Sequence, residues 1–142
     1  MRTDELRVMS RDECFDHLYD HEFGRLAIVV DGHPYIFPMN YVFDEPSIIF
    51  RTREGTKVHE APMTTVAFEI DGMGSAGEWG WSVVATGTMY DVTDMVDRYS
   101  GELREVQVPA WTPGDKSRVL RISVEEVSGR AFGARDRLRV LR

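Results

Sequence analysis

Apolar positions along this chain follow a helical period at its start and, from Arg25 on, mostly the pattern of strands. In "MSRDECFDHLYDHEFGRLA", Phe15, Leu18 and Tyr19 recur at i, i+3, i+4, the spacing of an amphipathic helix. Ser10 and Glu13 stand three apart in front of them, as in a capping box where each side chain satisfies an orphan backbone donor. Gly24 suits the helix C-terminus.

From Arg25 the pattern is that of strands. "RLAIVV" is rich in β-formers, and Asp31-Gly32 is a two-residue hairpin signal. "HPYIFPMNYVF" reads as the second strand. Its prolines carry no N–H for a ladder, so Pro34 and Pro38 imply an edge, a bulge or a backbone free on one side. "IIFRT" is the third strand, and "REGTKVHEA" is a turn entering a short helix that Pro62 helps to end. "TTVAFEI" and the long "GWSVVATGTMYDV" follow as strands four and five. A helix is expected from Asp94 to about Arg104 with Thr93 as its N-cap. "VQVPAWTPGDKS" is a loop. "RVLRISVEEVSG" closes the set, with Leu120, Ile122 and Val124 alternating against Arg121, Ser123 and Glu125. Six hairpin-linked strands with two or three peripheral helices predict a mainly β protein, an antiparallel barrel built as a single domain over residues 1–142. Residues 1–9 are expected to form a flexible N-terminal segment.

Composition narrows the class. The 142 residues are long enough to bury a core, with 42% hydrophobic and 29% charged. The single cysteine, Cys14, excludes an intrachain disulfide and a Cys-rich zinc site. No apolar stretch approaches a membrane span, and the polar N-terminus does not read as a signal peptide, so a cytoplasmic location is expected. A net charge of −7 argues against general nucleic-acid binding. The arginine cluster "RDRLRVLR" reads as a solvated or dimer-facing tail. A basic patch of Arg51, Arg53 and Lys57 inside an acidic protein has the right sign for a small anionic ligand.

Several motifs fail their context. Gly72-x-Gly74-x-x-Gly77 has dinucleotide-fingerprint spacing, but "EWGWSVVATG" continues as loop and strand where a helix is needed. "EGTKV" lacks P-loop spacing. His17 and His21 at i, i+4 lack the glutamate of a metalloprotease helix, so no metal site is expected. Neither Ser75 nor Cys14 has the setting of a nucleophile.

One constellation remains. "SIIFRTREGTKV" offers Arg51, Thr52, Thr56 and Lys57 with backbone amides near Gly55, a set that can bind a phosphomonoester. The neighbouring strand offers Pro38, Met39, Asn40 and Tyr41 to a flat heterocycle. Phosphate at one end and a ring against a strand describe a flavin mononucleotide site; the plain alternative is a basic hairpin end.

"GRLAIVVDGHPYIFPMNYVFDEPSIIFRTREGTKVHEA" resembles the pyridoxamine 5′-phosphate oxidase-like group of FMN-binding split barrels, in its nitroimidazole-reductase-like branch. The resemblance rests on Gly24-Arg25-Leu26-Ala27, Pro38-Met39-Asn40-Tyr41, Phe50-Arg51-Thr52 and Gly55-Thr56-Lys57, and extends from about Glu13 to Arg130. It implies a six-stranded split barrel that binds FMN. Pro38, Met39 and Asn40 would line the isoalloxazine, Arg51 and Thr52 the ring or ribityl chain, and Thr56 and Lys57 the phosphate. Ser82 would be a polar flavin contact. It further implies a homodimer with flavins at the subunit interface, where Trp79 and Trp81 would cover a partner's flavin or form dimer contacts. The substrate-holding C-terminal segment of the oxidase is not found in "SGRAFGARDRLRVLR", so oxidation of pyridoxamine phosphate is not expected. Relatives on this scaffold use F420 or bind haem, and both are alternatives to FMN. The expected activity is a flavin-dependent oxidoreductase with the chemistry residing in the flavin, and no catalytic residue is assigned. A non-enzymatic flavin- or haem-binding protein is the other alternative.

Overall fold

A computed structural model describes residues 5–110 and 114–133; the C-terminal arginine cluster lies outside them. Helix α1 (Arg11–Asp20) opens with the expected capping box: Ser10 Oγ accepts from the Glu13 amide at 3.2 Å, and Glu13 Oε1 accepts from the Ser10 amide at 3.3 Å. Cys14, Phe15 and Leu18 are buried. Tyr19, expected on the same face, is more than half exposed, and its hydroxyl accepts from the Glu45 amide at 3.2 Å. Gly24 does not end the helix, which stops at Asp20. It lies in strand β2 (Phe23–Val30), where an added Cβ would come within 2.4 Å of Phe68 and 2.7 Å of the Glu69 carbonyl. Close strand packing requires this glycine.

The strand expectations hold with refinements. β2 and β3 (His33–Asn40) form the hairpin, and Asp31 (φ 52°) and Gly32 (φ 77°) supply the two left-handed residues that such a turn needs. The second expected strand breaks at Tyr41 into β3 and β4 (Val42–Asp44). There the Tyr41 hydroxyl, fully buried, donates to the Leu18 carbonyl at 2.8 Å. β5 (Ser47–Thr52), β6 (Thr65–Met73), β7 (Gly80–Asp91) and β8 (Arg118–Phe132) complete the six long strands. A short β1 (Arg7–Val8), in the segment expected to be flexible, pairs with β8 at Ala131 and Arg130.

Among the described residues every pairing is antiparallel, in the order β3-β2-β6-β7-β8-β5-β4. Because β3 continues directly into β4, the two edges of this sheet are consecutive in the chain, and the sheet curls into a split barrel. β3 pairs only with β2, so Pro34 and Pro38 occupy an edge strand and cost no ladder bonds. Leu26, Phe50, Phe68, Val83, Leu120 and Ile122 fill the interior, each fully buried. At about 1.5–3 kcal/mol for each such side chain, this interior dominates the stability.

The second helix is shorter than expected. α2 spans Arg98–Arg104 and is capped by Asp97, whose carboxylate accepts from the Ser100 amide at 3.0 Å. Thr93 is engaged elsewhere: its hydroxyl accepts from the Val119 amide at 2.8 Å, fastening the chain to β8. α2 covers a smaller apolar cluster of Ile49, Val92, Leu103 and Val119. The chain after "REGT" makes one 3-10 turn, Lys57–Glu60. Gly72, Gly74 and Gly77 lie on the end of β6 and in the turn to β7, and no helix follows them.

Candidate functional site

The ends of β3 and β5, the turn after β5 and the segment after α2 enclose a cavity of about 290 Å³, near the small end of the range for ligand pockets. Phe37, Pro38, Met39 and Asn40 form one side. Arg51, Thr52, Arg53 and Thr56 form another, and Val108, Pro109, Ala110 and Lys116 close it. The lining contains three cations and no carboxylate, in a chain of net charge −7. The local field therefore favours an anion, against the average of the molecule.

Register explains how the residues meet. Strand β5 is buried along most of its length, with Ser47, Ile48, Ile49 and Phe50 all inaccessible. It delivers Arg51 and Thr52 at its end, opposite Val119 and Arg118 of β8. Arg51 Nη2 donates to the Arg104 carbonyl at 2.5 Å, satisfying a carbonyl at the α2 terminus while the guanidinium faces the cavity. Asn40, mostly buried, donates from Nδ2 to the Glu22 carbonyl at 3.1 Å, which fixes the end of β3. Thr56 precedes the 3-10 turn without capping it. The residue lines the cavity, while its hydroxyl is sealed from solvent and has no hydrogen-bond partner among the described residues. A buried hydroxyl of this kind costs free energy unless a ligand or water meets it.

Of the eight residues singled out from the sequence, the structure brings six into this cavity: Pro38, Met39, Asn40, Arg51, Thr52 and Thr56. Lys57 is adjacent in the chain but is not part of the lining. Its ammonium pairs with Glu60 at 3.2 Å and stands 5.8 Å above the Tyr35 ring, and the bond it donates to Glu60 holds its pKa above the ordinary lysine value. Ser82 lies on β7 between Asp71 and Arg130, beside a different cleft formed with Leu6, Met73, Trp81 and Phe132. Trp81 is buried and stacks on His17 at 4.0 Å; His17 in turn stacks on His21 at 5.8 Å. Packing accounts for that histidine pair, and the described residues contain no cluster of three metal-ligating side chains. The sequence reading did not place Phe23, Lys116 or the Val108–Ala110 segment in the site. They reach it only through folding, from loops and a strand start with no local signal.

A curled antiparallel sheet with a basic pocket at the ends of β3 and β5 defines a split β-barrel of the kind that flavin-binding proteins use. The family model described as pyridoxamine 5′-phosphate oxidase matches residues 10–131, and the chain belongs to that family. An uncharacterized protein of Mycobacterium tuberculosis, Rv0080, is 31% identical over 133 residues, covering 88% of this chain and 84% of the relative. Among solved structures, the FAD binding protein from Mycobacterium smegmatis superposes with a TM-score of 0.73 at 32% identity, over 89% of this chain and 98% of the other. A FAD-binding protein from Mesorhizobium loti superposes with a TM-score of 0.71 at 28% identity, over 89% and 97%. Among the described residues no helix is long and apolar enough to cross a membrane.

Proposed function

We propose that this protein is an FMN-binding oxidoreductase that moves a hydride or electrons to a small-molecule acceptor. The observation that carries the reading is the cavity itself: an apolar edge strand on one side, and three cations with no carboxylate in the rest of the lining. Pro38, Met39 and Asn40 would take the isoalloxazine, and Arg51 and Thr52 the ring or the ribityl chain. Thr56 and Lys57 would take the phosphate, with Lys57 turning inward from Glu60. When bound, the flavin supplies the redox chemistry, and the chain supplies binding, orientation and exclusion of water. Ser82 lies outside the cavity and would meet a flavin only in a homodimer that brings its cleft to a partner's pocket. The two FAD-binding relatives favour FAD as the second reading.

The test is a visible spectrum of the untagged protein as purified, followed by separate titrations with FMN, FAD, F420 and haem. Flavin bands, or saturable FMN uptake at one per chain, are the expected result. Reduction by a nicotinamide would then be followed at the flavin bands, and turnover with added acceptors measured. A protein that takes up F420 or haem and ignores both flavins overturns the reading. Flavin binding without turnover with any reductant leaves a binding protein rather than an enzyme.

A further inference from the structure

Behind the pocket wall, His59 of the 3-10 turn, which the flavin reading does not use, ties the Arg53 carbonyl to the pocket residue Thr52. Its Nε2 lies 2.5 Å from the Arg53 carbonyl oxygen and 3.2 Å from Thr52 Oγ1. A peptide carbonyl has no proton to give, so the proton of the shorter contact sits on Nε2. Protonated Nε2 has no lone pair, and Thr52 Oγ1 can then meet it only as an acceptor. The hydroxyl proton of Thr52 is thereby turned away from His59, and Thr52 lines the cavity.

The far side of the ring looks toward a carboxylate. His59 Nδ1 stands 3.8 Å from Asp91 Oδ2, beyond hydrogen-bond reach. That carboxylate is itself fixed by Arg118, at 3.1 Å from Nε and 2.6 Å from Nη2, and by the Thr93 amide at 3.0 Å. The bond from Nε2 to the Arg53 carbonyl sets the orientation that the imidazole presents to Thr52.

We infer that His59 is a positioning residue of the pocket: oriented by its bond to the Arg53 carbonyl, it fixes the Thr52 hydroxyl as a hydrogen-bond donor to an acceptor atom of the bound ligand. This inference rests on the flavin reading for the ligand, whose ring carbonyls, ring nitrogens and ribityl oxygens are such acceptors. The orientation of His59 rests on the chain alone.

Two measurements test it. In ligand-free protein, long-range ¹H–¹⁵N correlation of the His59 ring at neutral pH is expected to show a protonated Nε2. A lone-pair Nε2 overturns the inference whether or not any flavin binds. FMN titrations of the wild type, Thr52→Val, His59→Phe, His59→Gln and the double variant His59→Phe/Thr52→Val form a cycle. Each of Thr52→Val and His59→Phe is expected to weaken binding by about three- to ten-fold, the scale of one neutral hydrogen bond. The double variant is expected to match the singles, and His59→Gln, which keeps an N–H in reach of Thr52, to recover most of the loss. Independent, multiplying losses, or no rescue by glutamine, would reduce His59 to a structural residue. A wild type that binds neither FMN nor FAD overturns the flavin reading and the ligand half of this inference, while the ring spectrum still decides the other half.

Discussion

Replacing Asp91 by asparagine removes one charge where β7, β8 and the 3-10 turn meet. The carboxylate accepts two bonds from Arg118 and one from the Thr93 amide. Burial by itself would raise the pKa of this group. The bonds from Arg118, helped by Thr93, outweigh burial and hold it below the ordinary value of 3.8. Asparagine keeps an acceptor for Thr93 and loses the charge that Arg118 meets. Breaking a fully buried pair costs about 3–5 kcal/mol. Here the Arg118 and Asp91 side chains remain 23% and 18% exposed, and Asp94 and Glu54, each 3.4 Å from Arg118, are available as substitutes. Solvent screening and those carboxylates reduce the expected cost to about 1.5–2.5 kcal/mol. For a chain of this length the melting temperature falls by roughly 5–8 °C.

The assay is urea denaturation of wild type and Asp91→Asn at pH 7 and at steps into acid. A carboxyl whose folded pKa is depressed contributes stability that is complete above its unfolded value. That contribution is lost as pH falls through the folded one. The gap between the two proteins should be full at pH 7 and should close below the ordinary aspartate range. A gap absent at pH 7, or one that persists unchanged into strong acid, refutes the argument.

Three other outcomes are expected. Gly24→Ala forces a Cβ to within 2.4 Å of Phe68, 2.7 Å of the Glu69 carbonyl and 2.8 Å of Ile70, so thermal melts should show a loss of about 1–3 kcal/mol from overpacking. Arg51→Ala removes a cation from the pocket and the donor to the Arg104 carbonyl; FMN affinity should fall at least ten-fold, the scale of a charge-assisted bond, with a smaller drop in melting temperature. Glu69 is raised above the ordinary value of 4.5 by burial and by neighbouring Asp71, against the pull of Arg25. Its ionised form is therefore disfavoured in the fold. Glu69→Gln should raise the melting temperature at pH 7 and lose that advantage as pH falls below the ordinary glutamate range.

Much of the local order was legible before folding, because it depends on neighbours in the chain. The capping box at Ser10 and Glu13 and the left-handed pair Asp31-Gly32 act over three residues or fewer. Period-two alternation places Leu120 and Ile122 inside. The two prolines of β3 required a strand with one free side, and the edge of the sheet is that place. Six of the eight residues expected at the ligand lie in two short stretches, the end of β3 and the end of β5 with its turn, so each stretch was legible even though their meeting was not.

Several features depart from their local rule, most of them because of a distant partner. Gly24 has the composition of a helix stop, yet its reason is Phe68, forty-four residues away, which leaves no room for a Cβ. Thr93 is a sound N-cap in isolation, but the Val119 amide on β8 takes its hydroxyl, and Asp97 caps the helix instead. Lys57 belongs to the right turn and points to Glu60. Ser82 is separated from the cavity by the path of β7, and Lys116 enters it from beyond α2. Short-range sterics, caps and periodicity are written in consecutive residues, so the chain alone indicated the six long strands and which of their faces were apolar. Which side chains share a pocket depends on the curl that brings the two edges of the sheet together at Tyr41, and that curl exists only once all the strands have paired.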